Sequence, residues 1–228
     1  MTAEPGLRER KKQQTRQLLA DTARRLFAER GFEKVSVAEI ARVANVSQPT
    51  VFNYFPTKED LVYSALEQFE DDLLTTIRDR TPEESILQAF GRFILRPRGF
   101  LAAEDEQAAA RLVEISRMIA ESAALQARER QILDRYTSSL AALIAKETRA
   151  SDDDPRPAVT AAALIGVHRT LIEHVRRHIL AGDRDLARLA RTTKTTAKKA
   201  LAHLEHGLGD YGATHSHAGR LKVADEGS

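Results

Sequence analysis

Cysteine is absent from the 228 residues, so the chain has no disulfide framework, no thiolate nucleophile and no cysteine-ligated zinc or iron-sulfur site. No apolar run approaches the ~20 residues of a membrane span, because charges interrupt every candidate stretch. The start, MTAEPGLRERKKQQTR, lacks the apolar core of a signal peptide, and a soluble, cytoplasmic protein is expected. Also missing are a nucleophile elbow, a phosphate loop, an HExxH pair and a DxD-type cluster. Ser138 and Ser139 fall on a helical stretch, not on the exposed strand-turn that a serine nucleophile requires. The expectation is no enzyme, no cofactor and no metal. His174 with His178, and His203 with His206, have spacings at which two rings can share a metal, but surface histidines are commoner and neither pair has an obvious third ligand beyond Glu173 or Glu205.

What is present argues for an ordered, all-helical chain. Hydrophobic residues make up 42% and charged residues 30%, which excludes disorder of the whole. Period-two alternation is scarce and apolar residues recur at helical spacing almost everywhere. A net charge of +2 hides a gradient: residues 1–56 carry ten Lys or Arg against six acids, and the remainder is slightly acidic. Such a basic amino end fits a module that meets a polyanion, although surplus charge alone is usually a solvated surface.

The expected helices follow from caps and punctuation. The first spans about 8–30, with Leu19, Ala23, Leu26 and Phe27 inward and Gly31 as its stop. Ser36 with Glu39 has capping-box spacing and opens a short helix to Ala44; Ser47 opens a second that closes at Pro56. Thr57 with Asp60 caps a third, continuous to residue 80, with Leu61, Ala65, Phe69 and Leu73 buried. Thr81-Pro82-Glu83-Glu84 reads as the next start, leading to Ile86, Leu87, Phe90, Phe93 and Ile94. Leu112, Ile115 and Ile119 mark another helix, and Leu125 to Leu143 a longer one. Two more are expected at 156–181 and 183–208, the last capped by Asp183, for about nine in all. The glycine-rich 209–228 is expected to be disordered. The expected domains are a helix-turn-helix unit at 1–56, a connecting helix at 57–80 and a larger helical domain at 81–208.

Val37–Phe55 has the form of a compact helix pair able to seat its second helix in the major groove of DNA. Val37, Ile40, Ala41 and Ala44 should face inward from the first helix, and Val51, Phe52 and Phe55 from the second. Ser47, Gln48, Pro49, Thr50, Asn53 and Tyr54 then face outward. Gln48 and Asn53 are amides able to pair with adenine, and the methyl or hydroxyl of Thr50 can meet thymine or base edges. Tyr54 and Lys58 are placed for phosphate, as are the backbone N–H groups behind Ser36, Ser47 and Thr57. Arg8, Arg10, Lys11, Lys12 and Arg16 could track the phosphate backbone or enter the minor groove as an arm.

At ARRLFAERGFEKVSVAEIARVANVSQPTVFNYFPTKEDL, residues 23–61, the sequence resembles the tetracycline-repressor (TetR) family of bacterial transcription regulators. The resemblance implies a dimer with an amino-terminal DNA-binding unit and a divergent helical domain that takes a small effector. It also implies that Ser36 and Lys58 touch phosphate, and that Gln48, Thr50, Phe52, Asn53 and Tyr54 lie at or near the groove. Asn45 stands where the family's turn usually has glycine, and tolerates positive φ better than other side chains. Phe52 stands where many members have tyrosine, so any contact there is apolar.

For the larger domain the resemblance implies a homodimer through the last two long helices. Ala161, Ala162, Ala163 and Gly166 would allow close approach and Leu164, Val167, Leu171 and Val175 would supply an apolar stripe; the same stripe also fits ordinary core. An effector site would lie near Phe90, Phe93, Phe100, Met118, Tyr136, His168 and Leu171, although aromatic residues at helical spacing are more often core. Arg96, Arg98, Arg169, Arg176 and Arg177 could meet an anionic headgroup, as in regulators that respond to acyl-coenzyme A; exposed charge explains them equally. The expected function is a regulator, more a repressor than an activator, that leaves a palindromic operator when the effector binds. The alternative is an effector-independent or partner-controlled DNA-binding regulator with a filled core.

Overall fold

The computed structural model describes residues 6–64, 67–102 and 107–207, and every regular element among them is helical. Ten α-helices are described: α1 (Leu7–Arg30), α2 (Val37–Val43), α3 (Gln48–Tyr54), α4 (Lys58–Val62), α5 (Glu67–Arg78), α6 (Ile86–Ile94), α7 (Ala108–Glu121), α8 (Ala123–Thr148), α9 (Arg156–Leu180) and α10 (Leu186–His206). A 3-10 turn, Gly99–Ala102, follows α6. None of these helices is long and apolar enough to cross a membrane. The expected disordered tail lies outside the described residues, as does Ala65.

The small amino-terminal bundle forms because three short apolar faces close on one another. Leu19, Ala23, Leu26 and Phe27 of α1 meet Ile40 and Ala41 of α2 and Val51 and Phe55, all buried as expected. Burying each of the large side chains is worth roughly 1.5–3 kcal/mol. In the larger domain α9 runs centrally, packed chiefly against α8 and α10, with α7 and α6 on its flanks.

Four sequence expectations are corrected. The helix expected over 57–80 is two helices, with α4 ending at Val62. There Tyr63 turns inward, 4% exposed, and its hydroxyl donates to the Leu125 carbonyl of α8 at 2.8 Å. That tertiary anchor overrides helical continuity. The start at Thr81-Pro82 is only a turn: α6 is capped by Ser85, whose Oγ accepts from Gln88 N while the Gln88 side chain accepts from Ser85 N. Glu84 instead pairs with Arg92. Asp185, not Asp183, caps α10; the Asp183 carboxylate accepts from Arg188 and from the Asp185 N–H. Finally, Leu164, Val167 and Leu171 are buried within the chain itself, so the stripe offered for dimerisation is core. The exposed face of α9 is instead small and apolar around Val159, Ala162 and Gly166.

Candidate nucleic-acid interface

Asn45 makes the turn between α2 and α3. It takes φ 55°, and the next residue's N–H, Val46, donates back to the Ala41 carbonyl at 2.9 Å. Asparagine is among the few side chains that occupy this left-handed region readily. Ser36 caps α2 by accepting from Glu39 N, but the expected reciprocal bond is not made: the Glu39 carboxylate pairs with Arg30. Ser47 caps α3 by accepting from Thr50 N at 3.2 Å, and its Oγ lies 2.7 Å from Thr50 Oγ1 in a shared hydrogen bond.

Along α3, Ser47, Gln48, Pro49 and Asn53 are exposed, while Thr50 and Tyr54 are half-buried. Phe52 departs from the expected inner face: it is 43% exposed. Val51 and Phe55, four apart, share the buried side, and Phe52 is turned about 100° from Val51 by helical geometry. An exposed phenyl beside two amides and a hydroxyl makes a mixed polar and apolar surface suited to base edges and thymine methyls.

The carboxyl end of α3 is held by α1. Arg16 donates to the Tyr54 carbonyl at 2.7 Å, and its guanidinium carbon sits 4.2 Å from the Phe55 ring centroid. A cation at a helix carboxyl terminus and over an aromatic face is favourable on both counts. Arg16 therefore positions the carboxyl end of the helix. Arg8, Arg10, Lys11 and Lys12 are exposed on the first turns of α1 and are helical, not an extended arm.

Lys58 Nζ donates to the Phe32 and Val35 carbonyls at 2.9 and 3.2 Å and lies 4.0 Å from the Phe32 ring centroid. It thus braces the loop that delivers Ser36, which is exposed. Two of the three ammonium donors are engaged in this way.

Sequence reasoning missed the junction with the larger domain. Asp60 is 8% exposed; its Oδ2 accepts from Thr57 N and Oγ1 at 3.0 and 2.9 Å, and its Oδ1 accepts from Arg128 Nε of α8 at 2.7 Å. The spacing identified Asp60 only as a capping partner. Ser122 Oγ, at the α7–α8 corner, donates to Glu33 of the α1–α2 loop at 2.7 Å. A cleft of about 180 Å³ opens beside the Asp60–Arg128 contact, lined also by Pro56, Tyr63, Ile132, Arg135 and Tyr136. Burial, with Glu129 adding to it, pushes the Tyr63 phenol well above its ordinary range.

The residues offered for an effector site divide. Phe90, Phe93, Tyr136, His168 and Leu171 are buried in one core, with Met118 partly buried against it. Phe100 is not among them: it packs with Leu112, Ile179 and Leu189 in a separate small cluster. Phe69 of α5, read from sequence only as core, stacks on His168 at 4.2 Å and on Tyr136 at 5.4 Å, and meets Phe93 edge-on at 5.2 Å. Desolvation lowers the His168 pKa to about 4 and raises that of Tyr136 to about 12. Of the arginines, Arg176 is engaged by Glu129, and Arg98 by Asp72 and the Phe93 ring. A second cleft, of about 400 Å³, lies at the α9–α10 turn between His178, Asp183, Arg188 and Thr192. The His174 and His178 rings lie 4.5 Å apart. Among the described residues no group of three or more His, Asp or Glu is arranged to hold a metal.

A braced helix pair with a polar, partly apolar outer helix, attached to a larger helical bundle, defines a helix-turn-helix transcription regulator. Residues 19–65 match the family described as bacterial regulatory proteins of the tetR family, and residues 84–205 match the MftR C-terminal domain. The chain belongs to the TetR family, whose members are DNA-binding transcription regulators and not enzymes. It is 30% identical over 192 residues to the HTH-type transcriptional regulator TcmR of Streptomyces glaucescens, covering 82% of each chain. It is 38% identical over 61 residues to the HTH-type transcriptional repressor KstR2 of Rhodococcus jostii, covering 27% of this chain and 30% of that one. In fold it is similar to NalD of Pseudomonas aeruginosa, at a TM-score of 0.50 and 20% identity, covering 82% of this chain and 97% of NalD.

Proposed function

We propose that this regulator is a dimeric repressor, acting in the cytoplasm, that occupies a palindromic operator and leaves it when a small molecule enters the helical domain. The observation that carries the reading is the outer face of α3, exposed at Gln48, Phe52 and Asn53 while its inner face and carboxyl end are pinned by Val51, Phe55 and Arg16. Gln48 and Asn53 read base edges, the Thr50 methyl and the Phe52 ring meet apolar base surface, and Ser36, Ser47, Pro49, Tyr54 and Lys58 set the register along the backbone. A repressor's sign is supported by the likeness over 61 residues to the transcriptional repressor KstR2. The dimer uses the face of α9 around Val159, Ala162 and Gly166, small enough for a partner helix to approach closely. The effector must bind the low-affinity conformation more tightly than the other, and operator DNA must weaken effector binding by the same factor.

Selection of bound fragments from random duplex DNA tests this reading. A palindrome with half-sites about one helical turn apart supports it; no enriched sequence, even at low salt, overturns it. A second reading, an effector-independent regulator with a filled core, is favoured by the close packing of Phe90, Phe93 and Tyr136, each at most 2% exposed. Thermal unfolding against a metabolite panel separates the two, since a true effector raises the melting temperature by mass action.

A further inference from the structure

We propose that the Phe69 ring is a built-in plug in an aromatic slot, and that the effector of this regulator is a planar aromatic molecule that takes its place between Tyr136 and His168. The proposal rests on the effector-controlled reading above and names the ligand class for that site. Three observations converge on it.

The first is the geometry. Phe69 lies nearly parallel to both neighbours, at 17° to His168 and 26° to Tyr136, and it presents an edge contact to Phe93 at 71°. Two near-parallel rings and a third meeting Phe69 edge-on make a surround that selects for planarity, because stacking requires the π-face that a saturated ring lacks. The second is the unequal burial of its members. Tyr136 and Phe93 are at most 2% exposed and His168 is 9% exposed, whereas Phe69 is only half-buried. The walls are fixed and the occupant is at the rim, so removing Phe69 forfeits less burial than removing a wall. The third is connectivity. Phe69 is the third residue of α5, beyond the break at which α4 ends, and α4 and the residue that follows it make the Asp60 and Tyr63 contacts to α8. Tyr136 also lines the cleft that reaches Asp60 and Arg128. A ring that expels Phe69 therefore displaces the start of α5, and α5 is joined through that break to the helix that carries the DNA-binding unit. At neutral pH the His168 wall is uncharged, so it stacks on a ligand ring as an aromatic face and not as a cation.

The test uses the full chain and two probes of matched size, planar 2-naphthol and its saturated counterpart decahydro-2-naphthol. On the wild type, 2-naphthol is expected to raise the melting temperature and weaken operator binding, with decahydro-2-naphthol ineffective at the same concentration. In Phe69→Ala the plug no longer competes, and 2-naphthol is expected to bind about tenfold tighter or more. Phe90→Ala, which empties a buried phenyl elsewhere in the same core, is expected to give no such gain. Equal binding of the two probes, or equal tightening by both substitutions, overturns the proposal, since either marks a mere apolar cavity. If Phe69→Ala does not fold, Phe69→Leu replaces it: the branched chain keeps volume but has no π-face to stack, and 2-naphthol is expected to bind it more tightly than the wild type. Unchanged affinity is contrary. Probe binding by melting temperature needs no DNA, so its failure is distinguishable from a chain that ignores every duplex.

Discussion

The Arg128 guanidinium holds the Asp60 carboxylate at 2.7 Å, joining the first helix after the DNA-binding unit to the longest helix of the larger domain. Asp60 simultaneously caps α4 through Thr57, so one carboxylate fixes both where that helix begins and what it leans on. Arg128→Ala leaves this buried carboxylate without its cation. Breaking a buried pair from one side costs about 3 kcal/mol. Urea unfolding is expected to show such a loss, and effector-dependent release of DNA is expected to weaken with it. A loss within about 0.5 kcal/mol, the range of ordinary surface substitutions, counts against the contact as a structural tie.

Arg16 separates positioning from phosphate contact. Its bond to the Tyr54 carbonyl and its place over Phe55 make Arg16→Ala a change in how α3 is held. The expected outcome is a stability loss of about 1–2 kcal/mol and weaker operator binding with an unchanged salt slope. Arg8→Ala or Lys12→Ala, on the exposed first turns of α1, are expected to leave stability alone; where either side chain neutralises a phosphate, its removal reduces the slope by about 1. A lowered slope for Arg16→Ala returns it to the phosphate-tracking role.

The contrast between those residues also marks what was legible in the sequence. The inner face of α1, the Asn45 turn and the caps at Ser47 and Thr57 were all readable, because periodicity and capping are local. Phe52 was assigned inward because a seven-residue helix offers too few turns to fix a face, and Val51 and Phe55 already supply the pair four apart. The end of α4 at Tyr63 was not readable, since its cause is a hydrogen bond to Leu125, 62 residues away. Asp183 was read as the cap of the last helix, but Asp185 holds that place, because Arg188 draws Asp183 aside. The Arg128 and Tyr63 contacts escaped for the same reason: nothing in local spacing marks a partner on a distant helix.

Thr50 offers a test of apolar readout. Its hydroxyl is bonded to Ser47 Oγ at 2.7 Å within the cap, so the methyl is the group on Thr50 with no role inside the protein's own cap. Thr50→Ser keeps the hydroxyl and removes the methyl, and is expected to cost about 1 kcal/mol in operator affinity. Replacing the contacted thymine by deoxyuridine is expected to cost the wild type a similar amount and Thr50→Ser nothing further. Asn53→Ala is expected to cost about 1–3 kcal/mol and to blur base preference at one position. Thr50→Ser with undiminished affinity assigns the readout to the hydroxyl instead.

His168 makes the stability of the larger domain pH-dependent in a definite direction. Burial among Phe69 and Tyr136 lowers its pKa from 6.5 to about 4. Between those values the unfolded chain binds a proton that the folded chain does not, so stability falls as pH falls. The contribution is fully present above about pH 6.5, is reduced by about 2 kcal/mol at pH 5, and is lost once pH passes below about 4. His168→Phe retains a ring against Phe69 but cannot titrate. Urea unfolding at pH 7.5, 6 and 5 is therefore expected to show the variant gaining on the wild type at each step, by about 2 kcal/mol in total. A gap between the two that stays constant with pH means that His168 titrates alike in the folded and unfolded chains, and its burial against Phe69 is then not what the structure shows.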